Sequence, residues 1–341
     1  MSGSIVAIPC FVIMASTMRA AMLESYGLQV SLQDVPRPRP SGSQVLIQIE
    51  SATINPSDLV YLQGGYVETQ ELPAATGKEG AGIVVETGEE AGYLLGKRVA
   101  IVKVGTWAQY LLAEAQECIP LHDDIDLDQA ASLFINPMTV LMFRDVLRQS
   151  GVAACIQTAA NSALGRMFIR LCKAEAVPLI NIVRSSSSAH SILQEGAENV
   201  LISTDPSFPA ALKSLSEQLG ADLAFDAVGG ELTGQLLTAV GAGGVVYVYG
   251  LLGGKPVQGV LNSDVIMGRK RLAGLWLRQW YQRQSKETRK RLVEEAQSLL
   301  SGVLRTDVAA HYCLEEVQRA ITTYAANMSS GKALIHPNRS T

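Results

Sequence analysis

Paired cysteines are missing from this chain. Cys10, Cys118, Cys155, Cys172 and Cys313 are scattered, with no C-x-x-C spacing. That excludes a disulfide framework and a four-cysteine zinc lobe, and it suits a reducing compartment. Charge of one sign is scarce too. Against 28 Lys and Arg stand 32 Asp and Glu, for a net charge of −4, with no basic block. Nucleic acid is therefore not an expected partner. Long apolar runs are absent as well. The stretch 5–15 is apolar but broken by Pro9 and not preceded by positive charge, so it neither spans a bilayer nor reads as a signal peptide. No membrane partner is expected. The ordered pattern starts at Met18, and residues 1–17 are expected to be a flexible or spurious extension. The expected location is cytoplasmic, with the mitochondrial matrix open for a eukaryotic chain. His122, His190, His311 and His336 stand apart in sequence and form no metal spacing, so no metal ligand is assigned to them.

What is present is apolar material in quantity. Hydrophobic residues make up 48% of the 341 positions and charged residues only 18%, enough for a large core in one or two domains. From 20 to about 117 the chain is rich in strands and turns and shows no long helix. Residues 45–49 alternate, and GAGIVVE (80–86) and RVAIV (98–102) are bounded by glycine turns, which predicts a compact β-barrel-like domain. At Asp128 the pattern changes. DLDQAASLFINPMTVLMFRDVL predicts a helix broken by Pro137 and resumed. Beyond it, strands at 155–157, 179–183, 199–202, 223–226 and 244–249 alternate with helices at 188–195, 208–219 and 231–239. Such alternation predicts a parallel, doubly wound sheet. A charged helix at 285–300 and a tail ending KALIHP follow, and the tail is expected to return as strands to the first domain.

The most informative segment is 155–184. A short strand leads into a small-residue turn, AANSALG, then an amphipathic helix (Met167, Phe168, Leu171), then the buried strand 179–183 ending on Arg184. This is a βαβ unit whose turn would hold a dinucleotide pyrophosphate on a helix N-terminus. Only Gly165 of the usual glycines is certain; Ala159 and Ala163 stand where glycines are common. An arginine at the end of the second strand suits the 2′-phosphate of NADP, where NAD enzymes place an acid. The plain alternative is a strand, turn and helix in an ordinary α/β core, with Arg184 a solvated charge.

Several motifs carry a resemblance across about 18–337: INPSDLVYLQGGY (54–66), GTWAQY (105–110), AANSALG (159–165), NIVR (181–184), YGLLGGKPV (249–257) and LWLRQW (275–280). With them the chain resembles the zinc-free medium-chain dehydrogenase/reductase superfamily, nearest the NADPH-dependent 2-enoyl thioester reductases and the quinone oxidoreductases. The resemblance implies an α/β fold, a GroES-like β-barrel catalytic domain (18–135) plus a doubly wound Rossmann NADPH-binding domain (136–277), with 278–341 returning to the catalytic domain. It favours a homodimer, in which 245–249 would be the edge strand that pairs with a second copy. The zinc enzymes of the superfamily need a cysteine, a histidine and a later cysteine, with one open position. Here Asn55 and Lys78 stand at the first two places and Asn136 near the third, so zinc catalysis is not expected.

The resemblance also implies a cofactor cradle for NADPH. Asn161, Ser162, Ala163, Leu164 and Gly165 would hold the pyrophosphate; Arg184, Ser185 and Ser186 would hold the 2′-phosphate. Tyr249, Gly250, Leu251 and Leu252, with Leu275, Trp276 and Leu277, would flank the nicotinamide. Asn136 would contact the cofactor, and Lys332 would reach it from the tail. Where the family tends to show a second arginine, this chain has Ser186. Tyr66, in the family's catalytic GGY position, would donate to a substrate oxygen or deliver a proton, and Asn55 would orient the ribose or the catalytic loop. Each segment also has an ordinary structural reading: Asn55 and Asp58 as turn residues, Ser185 as a helix cap, Lys332 as surface. The implied substrate is a small 2-enoyl thioester. A quinone or enone stays open, as does a cofactor-binding interaction protein without catalysis.

Overall fold

Two kinds of hydrophobic pattern produce two kinds of sheet. The computed structural model describes residues 16–65 and 71–339, so the expectation for the extension falls, through residue 15, outside the described residues. The first strand, Thr17–Leu23, begins one residue before Met18 and pairs with Ser31–Pro36.

Alternating residues such as Val45, Ile47 and Ile49 face the interior of a seven-stranded, largely antiparallel sheet. Its centre is Gln44–Thr53, flanked by Glu79–Thr87, Tyr110–Glu114 and Lys332–His336. The last of these brings the C-terminal tail against the early strands, and Val308–Cys313 extends the edge in parallel. Trp107 is fully enclosed in this core and donates its indole N–H to the Thr53 carbonyl at 3.3 Å. One short helix, Pro56–Leu62, interrupts the strands.

The second sheet is wholly parallel. Its order is Asn199–Ile202, Leu179–Val183, Ala154–Gln157, Ala221–Asp226, Val245–Val248, Arg271–Gly274. In chain order that is 3-2-1-4-5-6, the doubly wound arrangement whose ligand crevice opens at the carboxyl ends of strands one and four. Strands buried on both faces explain the continuous apolar runs. Phe143 stacks on Phe225 at 4.0 Å and meets Phe168 edge-on at 5.3 Å, joining the sheet to its helices. Among the described residues no helix is long and apolar enough to cross a membrane.

Two expectations are corrected. The predicted edge strand at 245–249 is interior: Val245–Val248 lies between Ala221–Asp226 and Arg271–Gly274, and the latter forms the edge. The predicted helix break at Pro137 is also displaced. Leu127–Ala130 ends first, and Ile135–Ser150 then starts afresh with Pro137 in its first turn. A proline there forfeits no intrahelical bond, because first-turn N–H groups have no partner to lose.

Candidate active site

The NPSD sequence folds as a helix start. Pro56 fits the first helical position, where its fixed φ is pre-organised, and the Asp58 carboxylate accepts the Asn55 backbone N–H at 2.7 Å. The Asn55 side chain is thereby turned inward. Its Nδ2 donates to Glu79 Oε2 at 3.1 Å, and its Oδ1 accepts from Lys332 Nζ. Lys332 is 1% exposed and also donates to the Ile54 carbonyl at 3.2 Å. The surface reading of this lysine is therefore wrong. Lys78, the residue at the second zinc-ligand place, donates to the Ser57 carbonyl at 3.3 Å and lies over the Tyr61 ring.

Glu79, which sequence reasoning overlooked, joins the two sheets' territories. Its Oε1 accepts the N–H groups of Phe134 at 2.8 Å and Ile135 at 2.7 Å. It thus supplies from afar the carboxylate cap that the helix Ile135–Ser150 lacks locally, on the favourable side of the helix dipole. Asn136 follows directly in that first turn and is buried. The sequence signal for Glu79 was an acid between Lys78 and Gly80 at the head of a buried strand.

Burial dominates the electrostatics of this cluster. It pushes the Asp58 carboxyl up to about 7, raises Glu79, and draws Lys332 down to about 8, with the opposite charges offsetting part of each effect. Because Asp58 is raised on folding, the native state holds more protons than the unfolded chain between the ordinary 3.8 and about 7. Stability contributed by this group is present at low pH and is lost as pH rises through that window. Asp58→Asn keeps an acceptor for Asn55 and places an amide at Oδ1, which accepts no hydrogen bond. The variant is expected to lose this decline, so that its melting temperature gains on wild type as pH rises from about 4 to about 7. Parallel melting curves at several pH values check it.

Apart from Asn136 and Lys332, the predicted cradle residues follow the carboxyl ends of strands in the parallel sheet. After the first strand, Ser162 caps the helix Ala163–Ala174 by accepting Gly165 N–H at 3.0 Å. Gly165 has no room for a side chain: a Cβ there would lie 2.5 Å from the Ala160 carbonyl oxygen. Asn161 Oδ1 is held at 2.7 Å by Arg166, which sequence reasoning missed and which also bonds Ser191 and Glu195. Gln157 braces the same turn, donating to Gly165 O at 3.1 Å and Asn181 Oδ1 at 2.7 Å. Ala159 sits at φ +52°, a left-handed conformation that costs an L-residue about 1–2 kcal/mol. Ala159→Gly is expected to raise stability by about 0.5–1 kcal/mol after glycine's greater entropy loss; a melting curve reads the shift.

After the second strand, Arg184 is exposed, and Ser185 caps the helix Ser186–Gln194 through Ser188 N–H at 3.3 Å. Ser186 is exposed in that helix's first turn. After the fourth strand lies an organiser that sequence reasoning did not find. The buried Asp226 carboxylate accepts from Thr158 (2.8 Å), Thr233 (2.6 Å) and the N–H groups of Val228 and Gly229. It ties the turns after strands one and four across the crevice. Its only signal was an acid closing the apolar run ADLAFD.

After the fifth strand, Tyr249 packs its ring on Phe143 at 4.8 Å, and burial raises its phenol further above its ordinary range. A Cβ at Gly250 would meet the Ala227 carbonyl oxygen at 2.7 Å, so the chain passes there backbone to backbone. Leu251 and Leu252 are exposed. After the sixth strand, Leu275 and Leu277 are half-buried and Trp276 is 47% exposed. Tyr66 lies outside the described residues, which resume at 71.

A parallel sheet in this order, with a capped helix N-terminus at its switch point, defines a dinucleotide-binding α/β protein of the dehydrogenase type. Comparison with known proteins agrees. Residues 41–123 match the family model for the alcohol dehydrogenase GroES-like domain, and 163–297 match that for zinc-binding dehydrogenases. The mitochondrial enoyl-[acyl-carrier-protein] reductase of Caenorhabditis elegans is 30% identical over 300 residues, 84% of either chain. The corresponding reductase of Xenopus tropicalis is 28% identical, covering 93% of this chain and 95% of its own. A putative NADPH:quinone reductase from Mesorhizobium loti superposes with a TM-score of 0.85 at 31% identity, covering 97% of this chain and all of the other. The chain belongs to the medium-chain dehydrogenase/reductase superfamily, a family of oxidoreductases.

Proposed function

We propose that this protein is an NADPH-dependent, zinc-independent reductase of an activated C=C bond, with a 2-enoyl thioester as substrate. The observation that carries the reading is the cradle. The Ser162-capped helix offers free backbone N–H groups to a pyrophosphate, and exposed Arg184, with Ser185 and Ser186, ends the next strand. A close-packed Gly165 and a turn organised by Asp226 fit a dinucleotide laid along those strand ends.

When bound, NADPH would supply a hydride to the β-carbon of the conjugated double bond. The chain's own residues do the rest. Arg184 and the two serines select the 2′-phosphate. Tyr66 would hydrogen-bond the enolate oxygen or deliver its phenol proton to the α-carbon, and a hydride at the β-carbon with one proton at the α-carbon saturates the bond. Asn55, locked between Glu79 and Lys332, holds the start of the helix that leads to Tyr66. The donor set supports chemistry without zinc: the places of the family's metal ligands carry two amides and an ammonium, and a second ammonium, Lys332, already occupies Asn55 Oδ1. These are poor partners for a divalent cation.

The relatives' names favour the enoyl thioester, while the name of the Mesorhizobium loti structure keeps quinone reduction as a second reading. NADPH oxidation with crotonyl-CoA and, in parallel, with 9,10-phenanthrenequinone separates them. The proposal expects the larger kcat/KM for the thioester. Turnover of the quinone alone would favour the second reading, and NADPH binding without turnover of either would favour a non-catalytic role. The protein is further proposed to be a homodimer, formed at the exposed Arg271–Gly274 edge beside Val265, Ile266 and Met267, which are also exposed. A monomer mass by light scattering would overturn this.

A further inference from the structure

Three residues far apart in sequence meet where the C-terminal strands return to the antiparallel sheet. Val308–Cys313 and Lys332–His336 are parallel neighbours, with Cys313 opposite His336. His311, two positions before Cys313, therefore shares the face of His336. The imidazoles stack with centroids 5.2 Å apart and rings 16° from parallel, and His311 Nδ1 lies 2.9 Å from His336 Nε2. Asp128, in the first turn of the short helix Leu127–Ala130, places its carboxylate 3.6 Å from His311 Nδ1 and 3.7 Å from His336 Nδ1. Ligand atoms from all three residues lie within 4.8 Å of one another.

The surroundings of His336 give this cluster its meaning. Its ring is buried, and its Nδ1 donates to the Glu50 carbonyl at 2.9 Å. That bond fixes the tautomer and leaves the Nε2 lone pair aimed at His311. An imidazole held by a backbone carbonyl on one nitrogen and open on the other is the arrangement in which histidine ligates metals. The geometry points to a divalent-cation site of the zinc class, formed by His311 Nδ1, His336 Nε2 and an Asp128 oxygen, with a fourth position open to water. In a tetrahedral zinc site two ligand nitrogens stand roughly 3.3 Å apart, so the pair must open by a few tenths of an ångström. His311 can move by that much, its side chain being 51% exposed. It would keep its neutral charge by shifting its ring proton from Nδ1 to Nε2.

The charge balance is mixed. Asp128 favours a cation there and the nearby Arg339 opposes one, so the ion is held by its ligands rather than by a general negative field. A bound ion would pin the returning C-terminal strand to Leu127–Ala130, the segment leading into the Glu79-capped helix. The proposal does not depend on the reaction assigned to the protein.

Titration of the metal-free full chain with Zn²⁺, by calorimetry and by melting temperature, tests it. The expected result is one saturable site per chain and a melting temperature raised by Zn²⁺ but not by Mg²⁺. His311→Gln and Asp128→Asn are expected to weaken Zn²⁺ binding by at least about tenfold, while leaving the metal-free melting temperature unchanged. No stoichiometric binding, or equal binding by both variants and wild type, would overturn it. Both changes are in side chains at least partly exposed to solvent, so the outcome does not hinge on refolding around a buried substitution.

Discussion

Replacing Tyr66 with phenylalanine is expected to lower kcat for a 2-enoyl thioester by about a hundredfold or more, while NADPH binding stays within a few-fold of wild type. A positioned proton donor is worth about 10²–10⁴ in rate, and phenylalanine removes the hydroxyl with little change in shape. The described segment that ends at residue 65 is held at both ends. The helix Pro56–Leu62 starts on a buried Asn55 and closes with Gly64 N–H on the Tyr61 carbonyl (3.0 Å) and Gly65 N–H on that of Val60 (2.9 Å). Gly64 takes φ +73° against the Tyr26 ring, a left-handed helix end that glycine adopts without strain. Steady-state kinetics with a separate binding titration of NADPH reads the split. Retention of kcat within a few-fold would remove Tyr66 from the chemistry.

Arg184→Ala is expected to weaken NADPH binding by about 10–100-fold and leave NADH nearly untouched. Each charge-assisted hydrogen bond to a phosphate is worth roughly 1.5–3 kcal/mol, and NADH offers no 2′-phosphate to lose. The remaining preference would rest on Ser185 and Ser186, of which Ser185 is already engaged as a helix cap. Titration of both nucleotides against wild type and variant measures it. Equal losses for both would mean that Arg184 supports the strand end rather than selecting the cofactor.

The parallel sheet was legible because strands buried on both faces leave continuous apolar runs, and because the cradle residues sit in the turns that end them. Leu179–Val183, Asn199–Ile202, Phe208–Leu219 and Glu231–Ala239 have the bounds that the pattern predicts. Arg271–Gly274 was illegible for the converse reason: unlike the half-buried strand Asn199–Ile202 at the other edge, it is mostly exposed and carries no apolar period. Pro137 misled because a proline within a helical pattern reads as a break, whereas a first turn tolerates it. Asn55 and Lys332 were singled out one by one through the resemblance, but Glu79 and the meeting of the three could not be read. The three are separated by 24 and 277 positions, and only the pairing of the C-terminal strand with Gln44–Thr53 brings them together. For Lys332 the ordinary reading was a surface lysine, beside the cofactor contact that the resemblance implied; the side chain is buried. Nothing local announces that it has an amide and a carbonyl to meet inside.

Reduction of crotonyl-CoA with NADPH carrying deuterium at both C4 positions, followed by mass spectrometry and NMR of the product, tests the central claim most directly. The account predicts butyryl-CoA with one deuterium at the β-carbon and a solvent-derived hydrogen at the α-carbon. A saturated product without deuterium, or oxidation of the cofactor with the double bond intact, would contradict it.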